Sequence, residues 1–184
     1  MMKPWPRIGR IETITNERGR SLRRETFQSP IKKEEFIIFN SDQGTSAVVM
    51  PITEDDHVLV IKQFRAGANH VLLELPGGGK NKEDATFLET AKRELLEETG
   101  YLSEEVVPLS ENEIWQEPVI CTTSFYPFLA LNCRYVSQPQ PDSNCLEMVK
   151  IKLEEWLSII GWGLVQDSKS LATTLIALKH IKRL

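Results

Sequence analysis

The chain has 184 residues, with 22 Lys and Arg against 26 Asp and Glu, a net charge of -4, and 41% hydrophobic residues. That length fits one domain, or one domain with a small appended subdomain, and needs no disulfide or metal staple to fold. The acidic balance speaks against a general nucleic-acid binder, whose footprint is basic. No run approaches the ~20 apolar residues of a membrane span, so neither nucleic acid nor membrane is an expected partner.

Cys121, Cys133 and Cys145 form no C-x-x-C pair and read as reduced thiols. Residues 1–10 lack the apolar core of a secretory signal, so the expected address is the cytoplasm.

In chain order, 7–15 and 21–28 read as strands joined by a turn near 16–19, and 36–39 is a third short apolar run. A sheet that small cannot bury both faces alone and must pack on the main domain or on another chain. Residues 45–52 and 57–64 are β-rich runs around an acidic hairpin connection, and 71–75 is another, ended by Pro76 and three glycines. A helix is expected over 84–99, with Phe87, Leu88, Ala91, Leu95 and Leu96 at helical spacing and Gly100 as its stop. Strands follow at 115–122, 127–136 and 145–152, with a proline-containing loop over 137–143. A short helix is expected over 153–160, and a last one beginning at Asp167 or Ser168. His57 and His70 read as solvent-facing, and Trp115, Trp156 and Trp162 as packing residues. Strands with one embedded and one terminal helix make an α/β or α+β domain. The expected division is a β subdomain over 1–42 and a main domain over 43–184.

The chemistry concentrates in Arg93-Glu94-Leu95-Leu96-Glu97-Glu98. Residues three and four apart share a helix face, so Glu94, Glu97 and Glu98 project together at the end where the helix dipole is negative. A divalent cation with oxygen ligands removes that penalty, and Mg2+ is the natural one beside phosphates. Arg93 can hold one carboxylate by a forked hydrogen bond. The alternative is a solvated acidic face paired with Lys92 and Arg93. The preceding Gly77-Gly78-Gly79 lets backbone groups approach a phosphate, or lets Gly78 offer its carbonyl to a metal.

The stretch 79–101, GKNKEDATFLETAKRELLEETGY, resembles the Nudix box, G-x5-E-x7-R-E-U-x-E-E-x-G-U with U apolar. Gly79, Arg93, Glu94, Leu95, Glu97, Glu98, Gly100 and Tyr101 match in register. The first glutamate of the pattern falls on Ala85. Counting from Gly78 puts Asp84 there, with one residue inserted before Arg93. The resemblance implies a Nudix fold, a mixed sheet between helices with a small N-terminal antiparallel sheet. It also implies a pyrophosphohydrolase using Mg2+, with Mn2+ as the alternative. Gly78, Glu94, Glu97 and Glu98 would be the metal ligands, and Arg93, Glu97 and Glu98 would act in catalysis.

The flanks resemble the ADP-ribose and nucleoside-diphosphate-sugar pyrophosphatase branch, which carries Q-x-R and then L-E-L-P. Here these are Gln63-Phe64-Arg65 and Leu73-Glu74-Leu75-Pro76. By that resemblance Arg65 and Glu74 would contact substrate; a salt bridge between them is the plainer alternative. Glu147 would fit a further metal or water contact, while Asn144 and Cys145 beside it do not suit a general base. The loop 122–126 lacks the acid expected there, and Glu117 is a spare candidate. Phe27 or Phe36 could stack on a base. The implied reaction converts a nucleoside diphosphate linked to a sugar, such as ADP-ribose, into a nucleoside monophosphate and a sugar phosphate. A homodimer joined through the N-terminal sheet is implied too. The rival readings are hydrolysis of a nucleoside triphosphate or another X-linked diphosphate, and a catalytically weakened nucleotide-binding regulator.

Overall fold

The computed structural model describes residues 4–17, 20–42, 44–140 and 145–183. Two units separate by their internal contacts, Met1–Gly44 with Trp115–Ser124, and Thr45–Ile114 with Phe125–Leu184.

In the first unit β1 (Arg7–Glu17), β2 (Arg20–Gln28) and β3 (Glu35–Asp42) form an antiparallel sheet in that order. Residues 18 and 19 of the expected turn lie outside the described residues. The buried Glu25 is held from both neighbouring strands. Arg7 Nε stands 2.6 Å away as an ion pair, too poorly aligned for a hydrogen bond, and Asn40 Nδ2 donates at 3.3 Å. Ile11, Ile14, Phe36, Ile37 and Phe39 are all exposed.

The second unit is built on β4 (Thr45–Thr53) and β5 (His57–Arg65), joined by a tight turn at Glu54-Asp55-Asp56. After them come β6 (His70–Glu74), β7 (Gly77–Gly79), α1 (Phe87–Thr99), β8 (Tyr101–Leu102) and β9 (Glu105–Pro108). Then follow β10 (Ile114–Trp115), β11 (Ser124–Tyr135), β12 (Cys145–Lys152), α2 (Leu153–Gly161) and α3 (Ser168–His180). The central order is β11-β4-β5-β12, with β6 added to β5, β7 to β4, and β8 and β9 to β11.

Side chains of a strand alternate between its faces, and β4 is apolar on both. Val48, Met50 and Ile52 join a core with Trp156 of α2 and Ala177 and Leu178 of α3. Ala47 and Val49 point the other way, against Ala91 and Leu95 of α1. The sheet is therefore sandwiched, α1 on one side and α2 with α3 on the other. This is the α+β arrangement expected. In β11 the alternation holds from Phe125 to Leu131 and then slips by one. Asn132 takes a left-handed backbone, φ 54°, and Cys133 lands on the α1 side.

Three expectations need correction. The segment 115–122 is not a strand beyond Trp115. The N–H groups of Ile120 and Cys121 both turn back to the Glu117 carbonyl, and Pro118 has no N–H to offer a ladder. The glycines 77–79 are not a free loop but a short strand paired with Ser46, Ala47 and Val48. Of the three tryptophans read as packing residues, only Trp156 is buried; Trp115 is 48% and Trp162 72% exposed.

Candidate active site

Thr86 caps α1. Its side chain accepts from the Glu89 N–H, and Glu89 accepts from the Thr86 N–H, a reciprocal capping box. The helix thus begins later than expected, which frees Asp84 from the helix to act as a side chain. Asp84 accepts from the Asn81 N–H and from Thr90 Oγ1, both at 3.0 Å, and from Arg93 at 3.1–3.3 Å. The Arg93 hydrogen bond, helped by the Asn81 N–H, holds the Asp84 carboxyl down at about 2. Asp84, one residue before Ala85, therefore braces the arginine of the box.

Arg93 is the hub. Nη1 meets Glu94 Oε1 and Glu97 Oε2, both at 2.8 Å, while Nη2 donates to the Gly79 carbonyl at 2.9 Å. Burial works against its charge, but the bond to Asp84 and the charges of Glu94 and Glu97 outweigh it and raise its pKa. Arg93 thus ties the helix to β7 and holds two carboxylates at once.

Gly78 explains the close approach of Glu94. A Cβ at Gly78 would collide with the Glu94 carboxylate, its Cδ only 2.6 Å away. The missing side chain is filled by an acid. Glu98 turns to the other side, accepting from the Gly77 N–H at 2.9 Å, and is only 6% exposed. Burial pushes its carboxyl up to about 8. Glu94 and Glu74 add to the push, and the Gly77 N–H and Arg65 pull against it.

Arg65 and Glu74 form a two-pronged pair, Nε to Oε1 at 2.7 Å and Nη2 to Oε2 at 2.6 Å. Glu74 is 1% exposed, and its hydrogen bonds raise the Arg65 pKa further. Glu74 lies three residues before Gly77, whose N–H reaches Glu98, which brings the pair near the box. Asp167 caps α3 through the Ser170 N–H and Oγ, and Ser170 Oγ accepts from the Leu75 N–H at 2.8 Å. The last helix therefore fixes the chain between Glu74 and β7.

Glu147 is not brought to this place. It pairs across the sheet with Lys62, whose Nζ lies 2.7 Å from Oε2. On β12 it shares its face with Val149 and Ile151, which pack toward α2 and α3, away from α1. Asn144 lies outside the described residues, as does the acidic neighbourhood before it. Phe36 stands 6.4 Å from Trp5, edge to face, and Phe27 lies under the Arg7 guanidinium at 5.6 Å.

The donors around α1 and β7 are oxygen only, with a carboxyl whose proton is held chiefly by burial and a glycine gap filled by carboxylate. That chemistry fits a hard divalent cation. As they stand, Glu94 and Glu97 face Arg93 and Glu98 faces Gly77, and no three acidic, His or Cys side chains among the described residues meet at ligand spacing.

This arrangement and the sequence around it match a known family. The NUDIX domain matches residues 43–160. The chain belongs to the Nudix family. The pyrophosphohydrolase class expected from the box is the class this match supports. Among curated proteins the Nudix chain is similar to an ADP-ribose pyrophosphatase of Bacillus subtilis (strain 168), 23% identical over 163 residues, covering 87% of this chain and 78% of that protein. A methanol dehydrogenase activator of Bacillus methanolicus is 24% identical over 140 residues, covering 74% and 71%. A solved ADP compounds hydrolase superposes with a TM-score of 0.81 over 100% of this chain and 99% of that one, at 15% identity, which establishes the shared fold. No helix among the described residues is long and apolar enough to cross a membrane.

Proposed function

We propose that this Nudix chain hydrolyses, with Mg2+, the pyrophosphate of a nucleoside diphosphate joined to a sugar, releasing a nucleoside monophosphate and a sugar phosphate. The observation that carries this reading is the three carboxylates of one helix end set against the glycine strand, the buried Glu98 on the Gly77 N–H and Glu94 and Glu97 on Arg93. A diphosphate repels an incoming nucleophile, so a cleaving site must neutralise its oxygens. Glu94, Glu97 and Glu98, with the Gly78 carbonyl, would hold the cation. Bound there, a divalent ion polarises phosphorus and lowers the pKa of its water. Arg93 positions Glu94 and Glu97, and Arg65 offers a fixed positive charge to the phosphates. The named pyrophosphatase relative supports the sugar-linked substrate, as does the Q-x-R and L-E-L-P pair around Arg65 and Glu74. Mn2+ would serve the same oxygen donors.

The address is proposed as cytoplasmic, and the molecule as a homodimer. The support for a dimer is the exposed apolar residues of the β1-β2-β3 sheet, Ile11, Ile14, Phe36, Ile37 and Phe39.

Replacing Glu98 by Gln removes a metal ligand while keeping its shape and its hydrogen bond with Gly77. Metal-dependent release of monophosphate from ADP-ribose is expected to fall at least ~100-fold with the circular dichroism unchanged. Full turnover in that variant removes the site assignment. A second reading has one observation of its own, the similarity to an activator of another enzyme. It predicts tight ADP-ribose binding without turnover across a panel of sugar-linked diphosphates and triphosphates with Mg2+ or Mn2+.

A further inference from the structure

Gln63 is a buried amide whose oxygen has no partner among the described residues. It is 8% exposed, and its side-chain Oε1 makes no hydrogen bond with any described residue. Such a group costs stability unless something satisfies it.

Its place is fixed by register. Gln63 shares its face of β5 with Leu59, which packs against α1, and with Arg65. Across the sheet Arg65 pairs with His70, Gln63 with Leu72, and Ile61 with Glu74. Arg65 and Glu74 thus start four residues apart along the strand, about 13 Å, yet bond at 2.6 and 2.7 Å. The Arg65 side chain must lie back over the row of Gln63 and Leu72 to do so. The open amide therefore sits under the charged pair that flanks Glu98.

We propose that Gln63 is a substrate-contacting residue, its carboxamide hydrogen-bonding a hydroxyl of the sugar joined to the diphosphate. This rests on the sugar-linked reading above. Phosphate oxygens at neutral pH only accept, so they cannot satisfy a carbonyl oxygen. A hydroxyl both donates and accepts, and so suits the carboxamide whichever end faces inward. Arg65 beside it takes the anionic part, and the neutral amide reads the polar part. An unmet amide in the free protein is then filled on binding, which turns a stability cost into discrimination.

The test replaces Gln63 by Leu, which keeps the bulk and removes the polar atoms. Melting temperature and kcat/KM are measured with ADP-ribose and its singly deoxygenated ribose analogues in Mg2+, and ribose 5-phosphate binding is followed by calorimetry. Q63L is expected to lower kcat/KM on ADP-ribose about tenfold. That penalty should vanish on the one analogue lacking the contacted hydroxyl, and the melting temperature should hold or rise. Equal losses on every substrate, no loss on any, or a lower melting temperature with discrimination intact would each overturn the assignment. A wild-type protein that cuts no sugar diphosphate but binds ribose 5-phosphate through Gln63 would refute the hydrolytic reading and keep this one. Absence of both turnover and binding refutes the two together.

Discussion

At the scale of single residues, the site is organised by where charge is kept and where it is suppressed. Asp84 stays ionised beside Arg93, while Glu98, buried against Gly77 with Glu94 and Glu74 nearby, keeps its proton until about pH 8. The two have opposite consequences. The Asp84 contribution to stability is present above the usual 3.8 and is lost as pH falls through about 2. The folded-state value of Glu98 is raised above the usual 4.5, so its contribution is full below that pH and is lost as pH rises towards about 8. A cation bound at Glu98, as proposed, would replace the proton. Metal binding is therefore expected to release a proton, and metal affinity to climb with pH through that window. Calorimetric titration with Mg2+ in two buffers of different ionisation heat would read this directly; identical heats in both contradict it. The sequence displayed the carboxylates but not this suppression, because it comes chiefly from burial in the folded chain, with Glu94 and Glu74 adding to it and Arg65 opposing it. Glu147 shares its face with Val149 and Ile151, away from α1, and the sequence alone does not show this because Met148 makes the opposite face apolar as well.

At the scale of elements, the glycine run shows how one residue type serves different neighbours. A Cβ at Gly77 would strike the Ala47 carbonyl and come within 3.0 Å of Val48 Cα, both backbone of β4, which cannot yield. At Gly79 nothing lies within 4 Å. Gly77→Ala is expected to destabilise the fold by about 1–3 kcal/mol, and Gly79→Ala to leave the melting temperature nearly unchanged. Thermal melts of both variants check this, and equal melting temperatures would mean that β7 does not pack as described. Residues 45–65 were readable as apolar runs buried on both faces, α1 by its periodic stripe, and α3 by its Asp167 cap. The strand β8 escaped notice because it is two residues long, and β9 because its two valines lie between Glu105 and Pro108. The start of α1 was misplaced because Asp84 and Thr86 are both good caps, and the Thr86–Glu89 capping box, with Asp84 taken up by Arg93, decides between them.

At the scale of the whole molecule, the sandwich was legible as a class but not as a topology, since the flanking strands of β11 are set by pairing rather than by pattern. The apolar residues exposed on β1 and β3 make a prediction of their own. The protein is expected to sediment as a dimer at micromolar concentration, and Phe39→Asp to shift it towards monomer. A wild-type protein that sediments as a monomer there sinks the dimer.

The Leu75 N–H is donated to a hydroxyl 95 residues later, on Ser170 of α3. A nascent chain that has already delivered every box carboxylate still lacks the strut behind them. The candidate site is therefore expected to take its final form only once the terminal helix has left the ribosome, and a protein clipped ahead of Asp167 is expected to carry every acid of the box without that support.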